Sequence, residues 1–165
     1  MSNNVFKQNY RPWKYPTNWI KNVGLFFRTF KWAYQRAVRG FADCDVWDLD
    51  GFLLNLFHDS LNSLADTANG WPGDEMFPEF EDWTSYLKEM ANKFYSANEY
   101  NEVYSTPEAD KWSEWYEKNG WDINDTHNPY IDAMLKEEAA NAIKRRTDFA
   151  EAWKMMGKVF FHLWD

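Results

Sequence analysis

Four aspartates within eight residues form the densest group of potentially reactive side chains in the sequence. Asp43, Asp45, Asp48 and Asp50 are followed directly by Gly51. Clustered carboxylates can bind Ca²⁺ or Mg²⁺ or attack a phosphoryl group. At the start of a helix they accept hydrogen bonds from free backbone N–H groups. The residues around the cluster indicate which of these roles the sequence favours.

The segment Asp48–Gly51 resembles the DxDGT motif of the haloacid dehalogenase superfamily. The resemblance implies that Asp48 would attack a phosphoryl group and that Asp50 would act as an acid and base beside Mg²⁺. That motif follows an apolar strand, whereas here the preceding residues are acidic, and Phe52 stands where the family has threonine. A metal-dependent phosphohydrolase that uses residues 43–50 is therefore the last of three functional hypotheses.

A structural role for the aspartates is favoured over a metal site. Their spacing is not that of a calcium-binding EF-hand loop, which needs Glu at its twelfth position. Asp45 is suited to cap a helix, with Asp48 three residues later imitating a capping box, and the carboxylates can pair with Arg36 and Arg39. We predict that Asp43, Asp45 and Asp48 fix the start of this helix and orient the arginines, and that Trp47 is a structural residue that supports them.

Other groups that could carry catalysis have simpler explanations. None of His58, His127 and His162 has Glu three residues before it, so the di-iron pattern is missing. Cys44 is expected to be a small buried residue, and the Asn and Asp residues of 122–127 are typical of a turn. We predict a protein that is not an enzyme, with no catalytic residue, no metal and no cofactor.

A basic and aromatic helix surface is the better functional candidate. Trp32 has Arg28 and Arg36 four residues to either side, which places flat aromatic and guanidinium groups together. The predicted ligand-binding residues are Arg28, Lys31, Trp32, Arg36 and Arg39. Residues 144–146 (Lys-Arg-Arg) could add a basic edge from another subunit. The alternative, that Trp32 packs on a neighbouring helix while the basic side meets the acidic body, stays open.

Apolar residues recur at helical spacing, and no stretch alternates as a strand would. We predict an all-α, single-domain bundle of about five helices over residues 1–165, with an extended N-terminal arm at 1–16. The predicted helices are 18–39, 45–69, 79–97, 107–119 and 130 towards the end. The apolar face of the first helix, which includes Phe27, Phe30, Tyr34 and Val38, is expected to be buried by the fold. The face predicted for the last helix includes Leu135, Phe149, Trp153, Met156 and Phe160.

Charge is divided very unevenly along the chain. The first 42 residues contain eight Lys or Arg and no Asp or Glu, whereas the other 123 contain ten basic and 26 acidic residues. The acidic body argues against stable DNA binding and against attachment to an anionic membrane, although the first helix resembles a basic amphipathic one. We find no signal peptide pattern, and we expect a cytoplasmic protein without a membrane partner.

The segment Arg39–Asp50 resembles a motif of small, uncharacterised proteins encoded by tailed bacteriophages. Their pattern is Arg-Gly-aromatic, then Asp-x-Asp, Trp and a further Asp. The turn at residues 70–73 and the aromatic-Leu-Trp-Asp ending at residues 161–165 fit the same group. The resemblance implies a phage origin and a place in the host cytoplasm, and it implies no mechanism.

Small phage proteins that are not enzymes often act on the host, which leads to two leading hypotheses. The first is a homo-oligomeric anti-defence or host-modulating protein that captures an anionic nucleotide-type ligand on the basic helix. The second is an inhibitor that binds a host or defence protein through an acidic surface, in the manner of a DNA mimic. Charge reversal at Glu79, Glu81 and Asp82 should harm only the second.

Overall fold

The computed structural model describes residues 19–120 and 128–163, and within these ranges side chains are described from residue 27 onward. The predicted arm at 1–16 lies outside them. Five α-helices and two short 3-10 helices make up the described chain, in which no residue forms a strand. They are α1 (Trp19–Arg39), α2 (Leu49–Thr67), α3 (Phe80–Ala97), α4 (Pro107–Asn119), α5 (Ile131–Val159) and the 3-10 helices Glu99–Asn101 and Phe160–His162. The all-α prediction with five helices is confirmed.

Most helix ends lie where the capping and turn residues predict them. α1 ends at Arg39, and the N–H of Gly40 donates to the Arg36 carbonyl at 3.0 Å. Gly40 has a φ of 83°, in the left-handed region where glycine carries no steric penalty. α4 has Pro107 at its first position, where the missing N–H has no helical partner to lose. These local signals are sufficient to end α1 and begin α4.

The first turn of α4 is capped from another helix. Thr106, which precedes α4, makes no side-chain capping hydrogen bond. Instead the Glu137 carboxylate of α5 accepts hydrogen bonds from the N–H groups of Glu108 and Ala109, at 3.0 and 3.1 Å. A carboxylate suits this position because the free N–H groups and the helix dipole both favour negative charge. Glu137 therefore ties α4 to α5.

The start of α2 departs from the prediction. The helix begins at Leu49, and residues 43–48 form turns before it. Asp45 is not the N-cap, because its carboxylate is bound by Arg36. The predicted capping box of Asp45 and Asp48 is therefore wrong. An ion pair with a residue of α1 outweighs the local capping preference of Asp45.

By its internal contacts the chain divides into two compact units, residues 1–52 and 53–165. The second unit has a hydrophobic core built on α3. The Phe94 ring is fully buried, with ring centroids 4.9 Å from Phe57 and 5.7 Å from Trp153. The buried residues of α3 are Trp83, Leu87, Met90, Ala91 and Phe94, which recur at the three- and four-residue spacing of one helix face. Helical periodicity alone thus identifies the core face of α3.

The buried face of α5 is rotated from the predicted one. Its buried residues are Asn141, Ala152, Met156 and Val159, and only Met156 belongs to the predicted set. Leu135, Phe149, Trp153 and Phe160 from that set are each 43–56% exposed. One reason is that the buried Asn141 donates a hydrogen bond from its side chain to the Ser105 carbonyl at 3.1 Å, which turns a polar residue inward.

The apolar face of α1 is not buried as predicted. Phe27, Phe30, Tyr34 and Val38 are between 60% and 69% exposed. Single exposed apolar residues are common in soluble proteins, but a contiguous row of them indicates an interaction surface. The expectation that the fold itself buries this face is therefore corrected.

Candidate anion-binding site

A buried ion pair fixes the chain where it leaves α1. The Arg36 guanidinium donates to both carboxylate oxygens of Asp45, from Nε at 2.9 Å and from Nη2. The N–H of Ala42 donates to the same carboxylate at 2.7 Å. The Asp45 side chain is 5% exposed and that of Arg36 22%. Bidentate, partly buried pairs of this kind are the strongest class of protein ion pair, so Arg36 and Asp45 act as a structural clasp.

Ionisation of the clasp follows its surroundings. Burial opposes the charged form of Asp45, but the hydrogen bonds from Arg36 and the Ala42 N–H outweigh it, and the pKa of the carboxyl is lowered. The hydrogen bond to Asp45 raises the pKa of Arg36. Burial raises the pKa of the neighbouring Cys44 thiol, so this cysteine has little thiolate character at neutral pH. That environment suits a small packed residue better than a nucleophile.

Asp43 lies at the surface and gathers three donors from α1. Lys31 Nζ lies 2.9 Å from its Oδ2, the Gln35 side-chain amide donates to the same oxygen at 2.7 Å, and Arg39 binds Oδ1. The Asp43 side chain is 48% exposed, and those of Lys31 and Arg39 are 59% and 40%. Hydrogen bonds from Gln35, Lys31 and Arg39 hold the pKa of the Asp43 carboxyl far below its ordinary value. Three donors thus converge on one exposed anionic group.

Two arginines of the predicted site, Arg28 and Arg39, lie over aromatic rings. The Arg28 guanidinium lies over Trp32, 5.5 Å from the ring centroid, and Trp32 is half-buried. The Arg39 guanidinium lies over Phe41 at 4.6 Å, while its Nε donates to the Phe41 carbonyl at 2.9 Å. Aromatic rings hold guanidinium groups in a fixed plane. Of the predicted ligand-binding residues, Lys31 and Arg39 thus pair with Asp43. Arg36 instead pairs with Asp45.

Asp48 and Gly51 explain the acidic motif without catalysis. The Asp48 side chain accepts a hydrogen bond from the Gly51 N–H, the third residue of α2, which is the geometry of a helix cap. A Cβ at Gly51 would approach the Asp48 carboxylate to 2.7 Å, so a larger residue there would require the Asp48 side chain to move. Burial, and then the charge of Asp50, raise the pKa of Asp48. In the phosphatase motif the nucleophile follows a strand, whereas here Asp48 follows turns and precedes a helix.

No metal site is apparent among residues 19–120 and 128–163, where no three His, Cys, Asp or Glu side chains are grouped to hold an ion. His58 instead makes a 3.1 Å hydrogen bond between its Nδ1 and the Ala91 carbonyl. The turn proposed at 122–127, with His127, lies outside the described residues. Three of the four aspartates of 43–50 thus have separate roles: Asp45 forms the clasp, Asp43 accepts from three donors and Asp48 caps a helix.

Trp47 does not support the cluster as predicted. Its side chain is 93% exposed, so it does not pack beneath the aspartates. Phe41, which sequence reasoning missed, takes a supporting role through its ring and carbonyl under Arg39. The sequence does contain a signal for this role: Phe41 follows Arg39 by two residues, with Gly40, which ends α1, between them. A side chain there folds back against the last turn of the helix.

The second basic edge belongs to the second unit and is occupied by its neighbours. Lys144 Nζ donates to the Asn141 side chain at 3.2 Å and lies 5.2 Å from the centre of the Tyr104 ring. Arg145 pairs with Glu138. The Tyr104 contact joins α5 to the loop before α4, whereas the Asn141 and Glu138 contacts lie within α5.

The chain matches no protein-family model, no curated protein and no solved structure. Within the described ranges, none of the helices combines the length and the apolar composition needed to cross a bilayer. The site must therefore be interpreted from its own geometry.

Proposed function

We propose that the protein binds an anionic, nucleotide-type ligand on the exposed part of the α1 polar face and does not act as an enzyme. The observation that carries this proposal is the convergence of Lys31, Gln35 and Arg39 on Asp43. Together with the resemblance to tailed-phage proteins, it supports an anti-defence or host-modulating role in the host cytoplasm, by sequestration of the ligand.

The Asp43 carboxylate occupies the position that a phosphoryl group would take. An ammonium, an amide and a guanidinium are the donors that commonly bind phosphate oxygens. Exposed ion pairs contribute little stability because water competes for both partners. A ligand phosphate carrying more charge than one carboxylate can therefore displace Asp43 at low cost and recruit the same donors.

Arg28 and Trp32 supply the second half of the proposed site. They lie on the side of α1 that carries Arg39. Arg28 is one turn N-terminal to Trp32, and its guanidinium lies over the indole ring. An aromatic face and a guanidinium plane both stack on nucleobases. Arg36 is left out of the revised site, because its guanidinium is held by Asp45 and partly buried.

The experiment is isothermal titration calorimetry with ATP, a cyclic dinucleotide and inorganic pyrophosphate. A Lys31→Ala, Arg39→Ala double variant should bind the best of these ligands about tenfold more weakly or worse, because charged hydrogen bonds are lost. Lys88→Ala is the matched control: Lys88 also forms an exposed pair, 2.8 Å from Asp66, and should bind as the wild type does.

Asp43→Asn tests the displacement step directly. Removal of the carboxylate charge leaves the three donors available, so this variant should bind the same ligand more tightly than the wild type. Equal affinity of the double variant and the wild type for every ligand would contradict the proposed site.

A second candidate function rests on the acidic start of α3. Glu79, Glu81 and Asp82 are all exposed, and Trp71 and Met76 earlier in the same unit are 46% and 49% exposed. Acidic residues near exposed aromatic ones suit a basic protein partner. Reversal of the three acidic charges should abolish capture of a specific bacterial protein in a pull-down and leave ligand binding by α1 unchanged. Capture that survives the reversal would refute this candidate.

A further inference from the structure

The exposed apolar side chains of α1 form one continuous seam. Phe27, Phe30, Tyr34 and Val38 are 67%, 60%, 69% and 67% exposed. With Ala37, which is also exposed, they follow the three- and four-residue spacing of a coiled-coil stripe. This row, named here the α1 seam, lies on the other side of the helix from Arg36 and Trp32. The proposed ligand site does not use it.

The size of the α1 seam suits pairing with a second copy. Taking about 200 Å² for an aromatic side chain, its four large residues expose roughly 500 Å² per chain. Two copies packed seam against seam would then bury about 1,000 Å² in total, which is where specific interfaces begin. Exposed apolar patches of this size on soluble proteins often mark a binding surface.

Charge at the edges of the seam also permits a second copy. Between residues 27 and 39, the positions at the two edges of the seam carry Lys31 and Ala33. Lys31 is the one charged side chain among them, and Asp43 compensates it at 2.9 Å. Two seams can therefore approach without a row of unpaired like charges. The small side chain of Ala33 lets the helices come close.

An anionic lipid surface is the other occupant that a basic amphipathic helix suggests. The rest of the chain opposes such attachment, because residues 43–165 contain ten basic and 26 acidic residues. Asp43 also places a carboxylate among the basic side chains of α1. An anionic surface repels a chain of this charge, so the seam favours a second copy, and a lipid-bound monomer is an outcome of the test.

We propose that the protein forms a homodimer in which the α1 seams of two copies pack against each other. The dimer places the two polar faces, each with its Arg28 and Trp32, on the outside of the helix pair. Each copy thus keeps Arg28, Trp32 and Arg39 of its ligand site on the outside, with Lys31 at the edge of the helix pair. The inference does not depend on what that site binds.

Sedimentation velocity over a wide range of protein concentrations tests the dimer. The wild type should show a monomer–dimer equilibrium, and Tyr34→Glu and Val38→Glu should each shift it to monomer. Both side chains are more than 60% exposed, so the circular dichroism spectrum should not change. The matched control is Thr29→Glu, an exposed position of α1 that lies off the seam and should leave the dimer intact.

Three outcomes would overturn the proposal. The first is a wild type that stays monomeric at every concentration, including one that binds phosphatidylglycerol vesicles as a monomer. The second is a dimer that persists in both seam variants. The third is a Thr29→Glu variant that dissociates as far as the seam variants do, because dissociation would then not report the seam.

Discussion

Replacement of Asp45 by Asn should loosen the turn between α1 and α2 without affecting the second unit. The change removes the negative charge that Arg36 binds through two nitrogens and weakens the acceptor for the Ala42 N–H. Loss of one partner from a buried ion pair typically costs about 3–5 kcal/mol. Arg36 keeps 22% of its side chain in water, so it can regain some hydration. We therefore expect a smaller loss of about 2–3 kcal/mol.

Hydrogen exchange measured by mass spectrometry reports this loss locally. If the segment opens as a unit, peptides within residues 36–48 should exchange roughly 30- to 150-fold faster, since about 1.4 kcal/mol is a factor of ten. Peptides from α3 serve as the internal reference and should not change. Asp66→Asn is the matched control, because Asp66 pairs with Lys88 at the surface, where such pairs contribute at most about 1 kcal/mol.

The pH dependence of the same measurement has a defined sign. The folded pKa of Asp45 is lowered, so the unfolded segment binds a proton more readily than the folded one. The stabilisation is present above the ordinary Asp pKa of about 3.9 and is lost as the pH falls through the lower folded value. The difference between wild type and Asp45→Asn should therefore shrink in acid. Unchanged exchange in the variant at neutral pH would refute the structural clasp.

Three further predictions concern the second unit. Phe94→Ala should destabilise it by about 3–5 kcal/mol in urea denaturation, because a fully buried ring beside Trp153 leaves a cavity; a loss under 1 kcal/mol would contradict the packing. Glu137→Ala should cost about 1 kcal/mol in the same assay, since α4 loses its cap; an unchanged midpoint would show that the cap is dispensable. The hydrogen bond to Asp148 raises the pKa of Tyr104 to about 12, so its stabilising effect should hold below pH 10 and fade as the pH rises towards 12. In ultraviolet titration Asp148→Asn should lower that pKa, and an unchanged curve would refute the pairing.

The parts of the fold that sequence predicted correctly depend on neighbours close in the chain. α3 carries its apolar residues at helical spacing, and its buried residues follow that spacing. Gly40 and Pro107 mark a helix end and a helix start by conformational preferences of single residues. Such signals need no knowledge of what lies across the fold.

The errors arise where a distant partner competes with a local preference. Asp45 has the side chain and the spacing of a cap, but Arg36, nine residues earlier, binds it instead. Asn141 would be expected at the surface of α5, yet its side chain donates to the Ser105 carbonyl and lies on the buried face. In both cases the tertiary hydrogen bond prevails over helix periodicity and capping rules.

The residues of the candidate site could be predicted from the sequence, but the different roles of its two ion pairs could not. Asp43 and Asp45 are two residues apart, and both pair with arginines of α1. Their side chains are 48% and 5% exposed, and nothing in the sequence distinguishes them. Burial makes the Asp45 pair a structural clasp, and exposure makes the Asp43 pair one that water or a ligand can exchange.

The buried Asp45 ion pair and the exposed Asp43 ion pair affect each other when a ligand binds. Asp43 meets Lys31 and Arg39 because the turn at 43–48 is held against α1, and the Arg36–Asp45 clasp holds that turn. The donors themselves remain on α1 when the clasp opens, so their affinity for a phosphate does not need Asp45. Asp45→Asn should therefore release Asp43 from the donors and strengthen ligand binding, in the same direction as Asp43→Asn. Weaker binding by Asp45→Asn, with α1 still helical, would mean that the turn itself contacts the ligand.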